Sequence, residues 1–218
     1  MKRCCILFFS MIFLNAVSAQ VKDPAGIGMP ADHVNKTLNS ATGMSVVSLL
    51  SQVIGGGLIL SGMNMETDGE TTRFAIGLFV GIGGVGMQTN SAILADRACK
   101  QIKMLEFSPE DSLLRSRMLK NIKSARTLSI IQNIIPVVAV AAGAISFSVQ
   151  KADPEYHNEI FFQSPSFWIP AVSICFVGAI LSIPEIVLIE KARSDLNSYQ
   201  KKLAFGTTKN GVGLSYKF

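Results

Sequence analysis

A single acidic residue, Glu185, interrupts the apolar stretch 167–189, and no other residue of this sequence is better placed to do chemistry. An ionisable side chain inside a membrane is costly and is by default a candidate for function. Together with the amides Gln52, Gln88 and Gln132, it predicts a polar layer that relays a proton, carries an ion or binds a small polar molecule. The favoured interpretation is simpler: hydrogen bonds that hold helices together, at about 0.6 kcal/mol per contact.

A second pattern with chemical meaning is Gly81-x-Gly83-x-x-Gly86, which matches a dinucleotide-binding loop by its letters. Such a loop needs a strand before it, a helix after it and an acidic residue about 20 positions later. Here the pattern lies inside the apolar stretch 74–95, with no βαβ arrangement around it. A helix therefore explains these glycines better than a phosphate-binding loop.

No other set of residues points to catalysis or metal binding. His33 and His157 are the only two histidines, and they lie far apart in predicted loops. Cys99 and Cys175 lack the spacing of a metal or redox motif. Neither a nucleophile elbow nor a P-loop occurs. We therefore expect a protein that is not an enzyme, with no catalytic residue, no metal and no cofactor.

Long apolar stretches must position the polar layer. Of the 218 residues, 49% are hydrophobic and 16% are charged, against about 25% charged in soluble domains. Four stretches approach or exceed the roughly 20 residues that a transmembrane helix needs; they are 44–64, 74–95, 128–149 and 167–189. The net charge is +5, and every charged residue except Glu185 lies outside these stretches. Because aromatic residues do not interleave with the basic ones, we expect no nucleic-acid partner.

Each predicted span carries one narrow face of small residues. Gly77-x-x-x-Gly81 has the spacing that lets helix backbones approach closely in lipid. The predicted packing glycines are Gly55, Gly77, Gly81, Gly84, Gly143 and Gly178. If this face is an interface, Gly81→Leu is expected to break the assembly.

The spans also suggest a duplication. Residues 44–62 align by residue type with 128–146, and 93–98 align with 187–192. The sequence thus predicts two similar hairpins in the same sense, 44–96 and 128–190, which is the parallel kind of repeat.

Between the hairpins, basic residues outnumber acidic ones in the segment 97–127. This basic amphipathic connector is predicted either to lie along the lipid headgroups as a surface helix or to be a solvated link.

The N-terminus raises a conflict about orientation. Lys2 and Arg3 precede an apolar run that ends at Val17-Ser18-Ala19, so residues 1–19 are a predicted signal peptide, followed by a polar segment, 20–43. With four spans, this segment and the basic connector share one side. The positive-inside rule places that side in the cytoplasm, whereas a cleaved signal peptide places it outside. The inner membrane is favoured, with the outer membrane as the alternative.

The C-terminal segment, 191–218, is predicted to be a basic helix followed by a β-hairpin. Asn210-Gly211 is a strong turn signal between two alternating segments. The ending Gly211-x-Gly213-Leu214-x-x-x-Phe218, after an L-x-F-G segment, resembles the tails of uncharacterised helical envelope membrane proteins of Bacteroidota that carry a signal peptide. This resemblance implies a bacterial envelope protein and brings no catalytic residues.

The predicted fold is an all-α, four-span transmembrane helical bundle of two similar hairpins with a small C-terminal β-hairpin tail. Its predicted function is non-catalytic: a structural or partner-binding component of a bacterial envelope. Its expected partners are the lipid bilayer and either further copies of itself or other envelope proteins. The alternative is a small channel or transporter that uses the polar layer around Glu185.

Overall fold

A computed structural model of the protein describes residues 31–63, 67–152, 164–208 and 211–216. These residues form four long helices, α1 (Ala31–Gly62), α2 (Asp68–Met104), α3 (Ser112–Lys151) and α4 (Pro165–Lys202), with a 3-10 turn at Pro109–Asp111 before α3. All four helices are long and apolar enough to cross a membrane. The prediction of a bundle of four helices that could each span a membrane is confirmed.

Two short strands follow α4. Strand β1 (Leu203–Thr208) pairs antiparallel with β2 (Gly211–Tyr216), so that Leu203 lies opposite Tyr216. The predicted turn residue Asn210 lies outside the described residues, as does the predicted signal peptide, 1–19. The C-terminal β-hairpin therefore stays a prediction as a folded, docked element of the protein.

The helices are longer than a bilayer is thick. Helix α3 has 40 residues and is about 60 Å long, whereas the hydrocarbon core of a bilayer is about 30 Å thick. Exposed large apolar side chains follow one another along α3 from Ile130 to Val149, which covers about 29 Å. On the same side of the bundle as Ile130, this continuous apolar surface ends at Val46 on α1, Ile93 on α2 and Val187 on α4. We call this surface the lipid-facing belt. Beyond it, the exposed large apolar side chains among the described residues are Met104 and Leu113.

Beyond the belt, the four helices continue as a second packed unit, the water-side bundle. Its core includes Leu38 on α1, Met118 and Ile122 on α3, and Leu196 on α4. All four side chains are fully buried. In water, burial of these side chains is driven by the hydrophobic effect. Inside the lipid, the same driving force between helices is absent. We therefore expect different forces to hold the two halves of the protein together.

The water-side bundle corrects the interpretation of the basic segment 97–127. Its first residues continue α2 to Met104 and its last residues begin α3, so it is neither a separate surface helix nor a solvated link. The predicted polar segment 20–43 likewise contributes its residues 31–43 to α1. The physical reason is that both segments carry apolar residues at helical spacing, which are buried against each other rather than against headgroups.

Glycines bring the two helices of each hairpin into backbone contact. Helix α1 packs mainly on α2, and α3 mainly on α4. A Cβ added at Gly55 would lie 2.6 Å from the backbone nitrogen of Gly81, and one at Gly77 would lie 2.7 Å from the carbonyl oxygen of Gly55. In the second hairpin, a Cβ at Gly143 would lie 2.5 Å from the carbonyl oxygen of Phe167. These positions allow no side chain without a shift of the helices.

The other predicted packing glycines have looser surroundings. A Cβ at Gly84 would lie 3.1 Å from the carbonyl oxygen of Ser48, and one at Gly178 would lie 2.9 Å from the side chain of Ile135. A Cβ at Gly81 would meet no atom within 4 Å. Packing within one chain therefore gives no reason for Gly81→Leu to disrupt the bundle.

Candidate functional site

The candidate functional site is a group of polar side chains inside the bundle, at the water-side limit of the lipid-facing belt. We define the Glu185 cluster as Glu185, Ser45, Ser91, Gln88 and Ser129, all of which are fully buried. Glu185, Ser45, Ser91 and Ser129 each lie within two residues of the belt's limit on their own helix. Four helices thus bring polar groups to one level, where the membrane half of the bundle meets the water-side bundle.

Two serine hydroxyls from neighbouring helices contact one carboxyl oxygen of Glu185. Ser45 Oγ, on α1, lies 2.7 Å from Glu185 Oε1, and Ser91 Oγ, on α2, lies 2.8 Å from the same atom. The two hydroxyl oxygens are 2.6 Å apart. Both hydroxyls also lie near the carbonyl oxygen of Ala41, at 3.2 and 3.3 Å. This side of the carboxyl group joins α1, α2 and α4.

The other carboxyl oxygen connects the cluster to α3 through Gln88. Gln88 Nε2 donates to Glu185 Oε2 and also to Ser129 Oγ, at 3.0 Å from the latter. Ser129 Oγ in turn donates to the backbone carbonyl of Gln88 at 3.0 Å. All four helices are therefore linked to a single carboxyl group.

Three hydrogen-bond contacts join Ser45 Oγ, Ser91 Oγ and Glu185 Oε1 in a triangle, but the two serine hydroxyls supply only two protons. All three edges are of hydrogen-bond length, and each serine hydroxyl carries one proton. A proton on Glu185 completes the triangle and leaves Oε2 as a carbonyl oxygen that accepts from Gln88. Among the described residues, the salt bridges do not involve Glu185. The geometry fits a neutral carboxylic acid.

The arrangement does not resemble a cation site. Oxygens that share a bound cation coordinate it at about 2.3–2.6 Å, which holds them farther apart than the three oxygens of this triangle. Within the part of the chain that the structure describes, no group of three or more His, Cys, Asp and Glu side chains could hold a metal ion.

The structure brings together only part of the predicted polar layer. Gln88 donates to Glu185 and Gln132 also lies beside its carboxyl group, whereas Gln52 bonds to Ser48. The prediction did not include Ser45 or Ser129, which complete the cluster. Ser129 lies one helical turn before Gln132, and Ser45 lies two turns before Gln52. An extension of the predicted polar layer toward the start of α1 and α3 would have found both.

Gln52 and Gln132 make separate contacts on the membrane side of the cluster. Gln52 Nε2 donates to Ser48 Oγ at 3.0 Å, and Ser48 Oγ donates to the carbonyl oxygen of Gly84 at 2.7 Å. Gln132 Oε1 accepts from Ser182 Oγ at 3.0 Å. Each pair stabilises a helix contact of its own.

An apolar cavity of about 210 Å³ lies between the four helices beside these two glutamines. Gly56, Gly81, Pro136 and Trp168 contribute to its wall, one from each helix. Gln132 also borders the cavity, and its buried Nε2 has no hydrogen-bond partner among the described residues. A buried donor without an acceptor costs about 1–3 kcal/mol. The cavity thus combines an apolar wall with one unused donor.

Comparison with known proteins adds no second line of evidence. No family model, no curated protein and no solved structure matches this chain. The resemblance of the tail to envelope proteins of Bacteroidota accordingly stays a prediction.

Proposed function

We propose that this chain is a non-catalytic, multi-pass membrane protein that acts as a structural or partner-binding component of a bacterial envelope. The observation that carries this proposal is the closure of the Glu185 cluster. The carboxyl group of Glu185 is fully buried, and its neighbours on α1 and α2 bond to it directly. Polar groups that bond to one another across helices hold a bundle together, whereas a conducting site needs access to water.

The energetics of lipid favour the same role. Apolar side chains gain little by meeting each other in a bilayer, so close packing and polar contacts must supply the stability. The cluster contains hydrogen bonds between α1, α2, α3 and α4 at one level. At the average strength measured in membranes, they contribute a few kcal/mol together. That is enough to fix the rotation and height of each helix relative to the others.

The alternative function, a small channel or transporter, is supported by one specific observation. Gln88 Oε1 and Gln132 Nε2 are both buried and both lack a hydrogen-bond partner among the described residues. Water molecules that satisfied these atoms would lie close to Glu185, which could then exchange its proton. The two functions make different predictions for the same pair of substitutions.

Substitutions of Glu185 test the structural role. In Glu185→Gln, the side-chain amide keeps an oxygen that accepts and an N–H that donates, so we expect the bundle to unfold near the wild-type temperature. Glu185→Ala leaves the buried hydroxyls and the Gln88 amide without their acceptor, which costs about 1–3 kcal/mol for each unsatisfied group. Thermal unfolding in detergent, followed by circular dichroism, measures both.

Proton flux through the same variants separates the two functions. In liposomes that contain a pH-sensitive dye, the structural role predicts that wild type and Glu185→Gln leak no faster than empty vesicles. A flux in wild type that Glu185→Gln abolishes, with its unfolding temperature unchanged, would contradict the structural role and establish transport.

We further propose that the protein lies in the inner membrane with the water-side bundle in the cytoplasm, as the positive-inside rule predicts. Cys99 is only 8% exposed and is a poor reporter of this orientation, whereas Lys123 is exposed. In Lys123→Cys with the natural cysteines replaced by alanine, we expect a membrane-impermeant maleimide to react only after the inner membrane is permeabilised. Reaction in cells with an intact inner membrane would place this bundle outside, as a cleaved signal peptide predicts.

A further inference from the structure

The apolar cavity beside Gln132 opens toward the lipid between α2 and α3. Ile82 on α2 and Val140 on α3 line the cavity, and both are also exposed on the lipid-facing belt, at 40% and 57%. Of the helix pairs that pack around the bundle, α2 and α3 have the least extensive contact. A molecule dissolved in the bilayer can therefore enter sideways at this gap.

The size of the cavity suits a segment of an acyl chain. Its lining on α3 runs from Gln132 to Val140, which is about 12 Å along the helix axis. A dry protein cavity of about 150 Å³ holds one benzene ring, so the 210 Å³ present here has room for about eight carbon atoms. Because the cavity extends along the helices, its long axis runs in the same direction as the acyl chains of the bilayer.

Two amide side chains, Gln52 and Gln132, border the cavity, and the unused donor belongs to Gln132. Gln132, which is 3% exposed, has its unused donor Nε2 at the end nearer the Glu185 cluster. This residue lies two positions inside Ile130, where the lipid-facing belt begins. The ester carbonyls of phospholipids lie at the edge of the hydrocarbon core, which is the same level. Water alone fits poorly, since a buried water needs two to four polar partners and the rest of the wall is largely apolar.

We propose that this cavity is a binding site for one acyl chain of a membrane phospholipid, whose ester carbonyl accepts a hydrogen bond from Gln132 Nε2. The chain enters between α2 and α3, fills the apolar space between the four helices, and satisfies the donor that the protein leaves unpaired. The bound lipid is then part of the bundle's interior rather than of the surrounding bilayer.

Trp168 gives a direct test, because it lines the cavity and is the only tryptophan of the chain. The full chain is reconstituted in vesicles of phospholipid with brominated acyl chains, which quench tryptophan fluorescence on contact. Gly81→Leu fills the cavity from a wall position where an added Cβ meets nothing within 4 Å. Gly83→Leu is the matched control, since Gly83 also has free space but lies exposed on the outer side of α2.

We expect equal quenching in wild type and Gly83→Leu. In Gly81→Leu, quenching should fall about twofold, because the indole then meets bromine only from outside the bundle and no longer within van der Waals reach inside it. Equal quenching in all three proteins, with their helical content unchanged, would overturn the proposal.

Native mass spectrometry of the wild-type protein provides a test that needs no variant. The expected result is one phospholipid retained per chain after extraction in mild detergent, and its return when phospholipid is added to delipidated protein. A wild-type chain that retains no phospholipid and takes none up on titration would refute the site, whatever the variants do.

Discussion

Gly77→Leu is expected to separate α1 from α2 and to destroy the folded bundle. A Cβ at this position would lie 2.7 Å from the carbonyl oxygen of Gly55 and 2.7 Å from the backbone nitrogen of Ile59. Both atoms belong to the backbone of α1, so no side-chain rotation relieves the overlap. Overpacking of a core usually costs about 1–3 kcal/mol, and because a whole helix must move here we expect the upper end or more. Thermal unfolding and gel filtration in detergent measure the loss.

Gly83→Leu is the control for Gly77→Leu. It lies on the same helix and introduces the same side chain, but at a position with no atom within 4 Å of the added Cβ. Leucine is a better helix former than glycine, which costs about 0.8–1 kcal/mol relative to alanine, so this variant should be as stable as wild type or slightly more stable. A Gly77→Leu protein that unfolds at the temperature of Gly83→Leu would show that α1 and α2 do not cross at Gly77.

The sequence predicted which helix faces are made of small residues but not where two faces cross. Gly77 and Gly81 share one face by their spacing, yet only Gly77 lies where an added Cβ collides with α1. The crossing point depends on the height and rotation of the partner helix, and neither follows from the spacing of residues along one helix. For the same reason, the spacing did not show that Gly81, whose backbone lies beside Gly55 of α1, also lines the cavity.

The sequence indicated the acidic and amide residues of the candidate site but not its serines. Glu185 and Gln88 stand out because acids and amides are rare in apolar spans. Serines give no such signal, since a serine in a helix often bonds to the carbonyl oxygen one turn earlier, as Ser45 does with Ala41. That Glu185 lies beside Gln88 and Gln132 but not beside Gln52 depends on which helices are neighbours at that level, which the sequence does not encode locally.

The water-side bundle was missed for a different reason. Mean hydropathy detects a span because a span is apolar on every side, whereas a helix with one buried face has an average composition close to that of a polar loop. Ile102, Met118 and Ile122 are fully buried although they lie among lysines and arginines. Their helical spacing was visible in the sequence, but a partner for that face only exists once α1 and α4 extend to the same length.

The second large effect is expected for Leu196→Ala, because the water-side bundle depends on the hydrophobic effect and the membrane half does not. Leu196 is fully buried in the core of that bundle, and its truncation should lower the free energy of unfolding by about 2.7–5 kcal/mol.

Ile134→Ala is the control, since Ile134 is 54% exposed on the lipid-facing belt and meets lipid in the folded and the unfolded membrane state alike. We expect its effect to stay within about 0.5 kcal/mol, measured for both variants by unfolding in mixed micelles with increasing sodium dodecyl sulfate. Equal losses in the two variants would mean that residues 189–201 lie in lipid, and the division of the bundle into a membrane half and a water-side half would have to be abandoned.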